Sequence, residues 1–168
     1  MNNTATKTNS KFTIQQIAMI AVMTAVTCVL APLSVPIGPV PISLTNLVIY
    51  FSLFILGTKK GTISYLIYLG IPVFSGFTSG PGKLFGPTGG YLIGFIPLAL
   101  IAGYFINHFH NKKALSFLGM ILGTAVCYAL GTTWLAIQAH MGFQAALMAG
   151  VVPFLPGDFI KMILALLI

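Results

Sequence analysis

The chain has one carboxylate side chain, Asp158, in 168 residues. Opposite it stand eight lysines and no arginine, for a net charge of +7, while 57% of the residues are apolar and only 5% charged. Soluble domains carry about 25% charged residues, so this chain cannot solvate a water-facing surface. A soluble fold and a disordered chain are excluded. The lysines are thin and spread out, which excludes a nucleic-acid binder. The apolar residues fall in long unbroken runs rather than short alternating strands, so helices are expected to cross the bilayer. At about 20 residues per crossing, the length allows about six spans. The expected fold is all-α and integral to the membrane: a single compact six-helix bundle over residues 1–168, with 1–11 a frayed tail.

Proline, glycine and lysine punctuate the runs. A first helix is expected over about 12–31. Residues 32–41 hold four prolines and predict a stiff, extended outer loop. The second span runs from about Ser43 to Gly57 and the third from about Thr62 to Ile71, with Lys59-Lys60-Gly61 between them. Residues 72–87, rich in glycine and proline, read as a structured loop or lid. The fourth span runs from about Gly90 to Asn107 and the fifth from about Leu115 to Gln138. Residues 139–157 form a loop with room for a short amphipathic helix. The sixth span starts near Asp158, and its eleven residues reach only about 16 Å, so either the sequence ends inside this helix or the last span is truncated. Lys7, Lys11, Lys59, Lys60, Lys112 and Lys113 all fall on one side of this arrangement. The opposite side has Lys83, with Lys161 just inside the last span. The positive-inside rule then places the N-terminus and both Lys-Lys loops in the cytoplasm.

Asp158 and Lys161, three residues apart, share a helix face. Ionisable groups inside spans are costly and mark sites or cavities; a first-turn carboxylate at a helix start is the structural alternative. The stretch Lys83-Leu-Phe85-Gly-Pro-Thr-Gly89-Gly90-Tyr91 is the second candidate, because glycines admit close backbone approach and a helix start offers N–H groups to an anion. It is not a nucleotide loop: Leu84 follows Gly82-Lys83 where Ser or Thr is required, and Phe77 stands at the first glycine position. Tyr91, Tyr128 and Trp134 lie at outer ends of spans, as pocket walls or interface anchors. Cys28, Cys127 and His140 read as structural, and the histidines and cysteines lack metal-ligand spacing. No nucleophile–base pair can be assembled, so no enzyme is expected. In span one, Ala18, Ala21 and Ala25 form a small-residue stripe that would let another helix pack closely.

Three segments, Pro39-Val-Pro41-Ile-Ser-Leu, Phe85-Gly-Pro-Thr-Gly-Gly-Tyr91-Leu-Ile-Gly and Pro153-Phe-Leu-Pro-Gly-Asp158-Phe-Ile-Lys161, resemble in order and spacing the signatures of the BioY family. These are biotin-binding S components of energy-coupling-factor (ECF) importers. The resemblance implies a prokaryotic plasma-membrane protein of six helices, with an outward biotin pocket capped by loops 32–43 and 72–90. It implies ligand contacts from Asp158 and Lys161, with Tyr91, Gly89, Gly90, Phe85, Lys83, Asn46 and Trp134 as further candidates. The family's Leu-Gln-Thr-Leu is Leu44-Thr45-Asn46-Leu47 here, so the glutamine's role does not carry over. Biotin is the ligand and no cofactor or metal is implied. The alanine stripe would dock the protein onto a transmembrane coupling subunit that associates with two ATPases. A buried carboxylate accepting N–H bonds, a lysine donating to an oxygen and aromatic walls would match biotin's ureido group, carboxylate and apolar ring. A self-sufficient small-solute transporter and an S component for another vitamin are the alternatives.

Overall fold

The computed structural model describes residues 12–36, 39–75, 82–109 and 112–167. Helix α1 spans Ile14–Leu30 and opens on a capping box: the Gln16 amide donates to the Thr13 hydroxyl, and the Thr13 amide donates to the Gln16 side chain. Two orphan donors are satisfied reciprocally, which sets the helix start. Ile20, Thr24 and Thr27 face inward, whereas Ala18, Ala21 and Ala25 are exposed on the opposite side.

The proline-rich segment is not purely loop. Ser34–Val35 (β1) and Ile42–Ser43 (β2) pair antiparallel, with Ser34 opposite Ser43 and Val35 opposite Ile42. Proline excludes helix but leaves neighbouring residues extended and able to pair, so the expected extended loop carries this small ribbon within a mostly helical fold.

Helical residues Thr45–Ser75 (α2) are interrupted at Gly57, whose φ of 78° and ψ of 172° no helix accommodates. A Cβ on Gly61 would lie 3.1 Å from the Ser52 carbonyl carbon. Nine residues along a straight helix span about 13.5 Å, so the chain turns back at Gly57 and its two limbs pack side by side. The second and third helices foreseen in the sequence are these limbs. The second limb continues to Ser75, past the expected stop at Ile71, and a short helix α3 forms at Gly82–Phe85. The expected loop over 72–87 is therefore partly helical. A proline near a helix end removes only one late backbone bond.

Among the described residues, helices α4 (Gly89–His108) and α5 (Lys113–Gln138) form the most extensively packed pair. Gly94 lies against Cys127, with a Cβ placed on it 3.1 Å from the Cys127 Cα, and Gly123 lies 3.0 Å, measured the same way, from the Leu98 carbonyl oxygen. Residues four apart on each helix thus make one antiparallel seam, in which small side chains admit backbone contact. Beyond α5 the chain passes His140, a non-glycine residue at φ 50°. The Met141 amide donates to the Ala136 carbonyl and the His140 amide to that of Ile137, which closes the helix end.

Helix α6 (Phe143–Gly150) occupies the expected loop, and α7 runs from Leu155 to Leu166. The last helix therefore begins three residues before Asp158, with Pro156 in its first turn, where a missing N–H costs nothing. Its far end meets the start of α5, where Lys113 Nζ donates to the Leu166 carbonyl at 2.9 Å.

By length and composition, Gly89–His108 and Lys113–Gln138 are each long and apolar enough to cross a membrane, as is the stretch Thr45–Ile71 taken as a whole, although here it is folded back on itself at Gly57. The α6–α7 pair, bent by 47°, is a fourth such stretch. The core is an apolar cluster tied by polar bonds: Tyr50 to Thr124 at 2.7 Å, Tyr65 to the Leu92 carbonyl at 2.7 Å, and Thr24 to Ser64 at 3.1 Å.

Candidate ligand-binding pocket

A cavity of about 700 Å³, counted to its open mouth, lies between the β1–β2 ribbon, the starts of α2, α4 and α7, and the middle of α5. Ala31, Val40, Leu92, Phe95, Tyr68, Tyr91 and Phe154 give it apolar and aromatic walls, and its polar groups include Asp158, Lys161, Asn46, Ser43 and Tyr128.

Those polar groups form a connected network. Lys161 Nζ lies 3.0 Å from Asp158 Oδ1, with both side chains 9% exposed. The same ammonium donates to the Ser43 carbonyl at 2.7 Å and to Asn46 Oδ1 at 3.1 Å. Its three protons therefore have three acceptors, from β2, α2 and α7. The Tyr128 hydroxyl donates to Asp158 Oδ2 at 2.6 Å. Among the described residues each carboxylate oxygen thus has one donor and keeps a lone pair for a donor in the cavity. Asp158 is the fourth residue of α7 rather than its cap, and the helix places it and Lys161 on one inward face. Burying the two charges is tolerable because they are paired and hydrogen-bonded together.

Asn46 Oδ1 also accepts from the Leu47 amide at 3.1 Å. Among the described residues its Nδ2 has no acceptor, which leaves two amide protons for a ligand. Tyr91 contributes its ring: its hydroxyl donates to the Gly150 carbonyl at 3.0 Å, and the ring stacks on Phe154 at a centroid distance of 6.5 Å.

The other candidates lie elsewhere. Gly89 and Gly90 are buried at a joint rather than in the lining: a Cβ on Gly90 would collide with Trp134, and one on Gly89 with the Leu84 carbonyl. Trp134 Nε1 donates to the Gly86 carbonyl at 2.9 Å, so these three residues clamp the α3–α4 connection onto α5. Phe85 is 67% exposed and outside the lining. Lys83 lies in α3, its side chain outside the described residues. Among the described residues no three His, Cys, Asp or Glu side chains cluster as metal ligands.

Tyr128, which ranks only as a possible wall aromatic in the sequence, is a direct partner of Asp158. Its signal was the i, i+4 spacing with Thr124 on an apolar helix, and Thr124 lines the same cavity. The role of Ser43 rests on a backbone carbonyl, which no side-chain motif can announce.

Fold and pocket together define an integral-membrane helical protein with a built small-molecule site, polar at one end and aromatic around it. The family model described as "BioY family" matches residues 3–168, and the chain belongs to that family. A probable biotin transporter BioY from Pyrococcus horikoshii is 38% identical over 159 residues, covering 92% of this chain and 93% of the relative. The biotin transporter BioY of Thermotoga maritima is 36% identical with the same coverage, and BioY2 of Lactococcus lactis is 35% identical over 88% of this chain and 84% of its own length. A crystal structure described as the S-component for biotin from an ECF-type ABC transporter superposes with a TM-score of 0.81 at 31% identity, covering 92% of this chain and 88% of that one.

Proposed function

We propose that this chain captures biotin as the S component of an ECF-type importer in a prokaryotic plasma membrane. The observation that carries the reading is the buried Asp158–Lys161 pair, which brings the chain's only acid to an aromatic-walled cavity. Such a pair offers biotin what it needs. The free lone pairs of Asp158 accept ureido N–H groups, Asn46 and Lys161 offer protons to an oxygen, and Tyr68, Tyr91 and Phe95 flank the apolar ring. Asp158, Lys161, Asn46 and Tyr91 act directly; Gly89, Gly90 and Trp134 act by holding the α3–α4 connection, while Phe85 and Lys83 belong to the cap. The ribbon residues Ser34, Val40, Pro41 and Ser43 line the cavity, which supports a lid role for loop 32–43.

In this reading the protein is one membrane domain of six spans with the N-terminus in the cytoplasm. It delivers biotin with a transmembrane coupling subunit and two ATPases, and docks through Ala18, Ala21 and Ala25. Their exposure on α1 supports that role. Mass spectrometry of the small molecule retained by the purified protein tests the function: biotin is expected, and another vitamin in its place would refute the ligand assignment.

A further inference from the structure

A second concavity lies at the other end of the bundle, between the break in α2 and the last turns of α4. It measures about 980 Å³ counted to its open mouth and is lined by Leu56, Gly57, Lys59, Lys60, Leu100, Tyr104 and neighbouring residues. We propose that this groove binds an anionic phospholipid from the leaflet at the Lys59–Lys60 end, with the headgroup at the lysines and an acyl chain along α4.

The groove has a lipid's own polarity. Leu100, Tyr104 and Asn107 recur at i, i+4 and i+7 on α4 and form one rail. Leu100 and Tyr104 are 50% and 59% exposed, so this rail is an apolar strip on the outside of the bundle. It ends in the polar Asn107, whose side chain lies against Gly57; a Cβ there would sit 3.3 Å from Asn107 Nδ2, and the φ of 78° at this turn favours glycine. Tyr104 is held by stacking on His108, centroids 5.5 Å apart and planes 7° from parallel.

The charge has no internal answer. The only acid, Asp158, is already bonded to Lys161, and Lys161 reaches Asn46 at the opposite end of the first α2 limb, about 18 Å away along twelve helical residues. Among the described residues no acid lies near Lys59 and Lys60, so an anion bound there comes from outside the chain. A free phosphate would satisfy the lysines but not the apolar rail. A phospholipid satisfies both, and basic pockets between membrane helices are known to favour such headgroups.

Thermal unfolding in detergent, with phosphatidylglycerol or phosphatidylcholine of the same acyl chains added, tests this alongside native mass spectrometry of retained lipid. Phosphatidylglycerol should raise the midpoint and remain bound, and phosphatidylcholine should do neither. Lys59→Gln/Lys60→Gln should lose both effects. Lys112→Gln/Lys113→Gln, which removes equal charge from the same end but outside the groove, should keep them. Tyr104→Ala, with the charges intact, should lose most of the retained lipid. Each variant is compared with its own lipid-free midpoint, so a change in basal stability does not enter. Phosphatidylglycerol effects that survive Lys59→Gln/Lys60→Gln, that vanish equally in both double variants, or that glycerol phosphate without acyl chains reproduces would overturn the assignment.

Discussion

Lys161 ties three elements with one ammonium. Its acceptors are a ribbon carbonyl, the Asn46 amide oxygen and the Asp158 carboxylate. A ligand oxygen that takes one of these protons must replace an existing acceptor, so ligand binding and the seat of the ribbon are chemically linked at this residue. Asp158 differs, since its spare lone pairs meet a ligand donor without losing a protein bond. Asp158→Asn keeps shape and one acceptor but removes the charge and turns an NH2 donor toward either Tyr128 or Lys161, each of which now donates to the carboxylate. Biotin binding measured by calorimetry should weaken at least ~10-fold, about 1.4 kcal/mol, which is within the worth of one charged hydrogen bond. An unchanged affinity would remove Asp158 from the site. Lys161→Met leaves a buried carboxylate without its counter-charge, a change that costs about 3–5 kcal/mol in comparable pairs. Its unfolding midpoint should therefore fall along with affinity, and the double variant Asp158→Asn/Lys161→Met should recover part of the stability but not the binding.

At the scale of elements, the α4–α5 seam positions the pocket. Tyr91 and Leu92 on one helix and Thr124, Cys127 and Tyr128 on the other reach the cavity because glycines let the two backbones approach. Gly90→Ala puts a methyl group into Trp134 and should lower the unfolding midpoint, with overpacking of this kind costing about 1–3 kcal/mol. An unshifted midpoint would show that Trp134 can move away freely. Helix α1 presents the opposite case. The exposed Ala25 has room for bulk, so Ala25→Leu should leave folding and biotin affinity near wild type while abolishing uptake in cells that contain the coupling subunit and ATPases. Intact uptake with intact assembly would take the docking role from this face. A joint fall of stability and binding would mean that Ala25 packs within its own bundle.

At the scale of the whole molecule, the lysines predict which way the bundle stands in the membrane. The two α2 limbs, α4, α5 and α7 alternate in direction, and the Lys113–Leu166 bond joins the ends of α5 and α7 at one level. With Lys59, Lys60, Lys112 and Lys113 on one side of this path, single cysteines at positions 60 and 83, in a background without Cys28 and Cys127, should react oppositely with an impermeant thiol reagent in intact cells. Reaction at both from outside would refute the six-span path.

Much of this was legible in the chain because it depends on composition and local chemistry. Too few charges for a water-facing surface, apolar runs of helix length and prolines that stop them define a helical membrane protein residue by residue. The pairing of Asp158 with Lys161 follows from a three-residue spacing on one helix. The rest depended on distances between residues far apart in sequence. Lys161 and Asn46 are 115 positions apart, and the Ser43 carbonyl and the Tyr128 hydroxyl acquire their roles only when β2 and α5 come to rest beside α7. The same contrast separates the glycines. In the sequence Gly89 and Gly90 look like a ligand cradle; packed against Leu84 and Trp134 they form a joint, because what a missing side chain makes room for is decided by its neighbour in space.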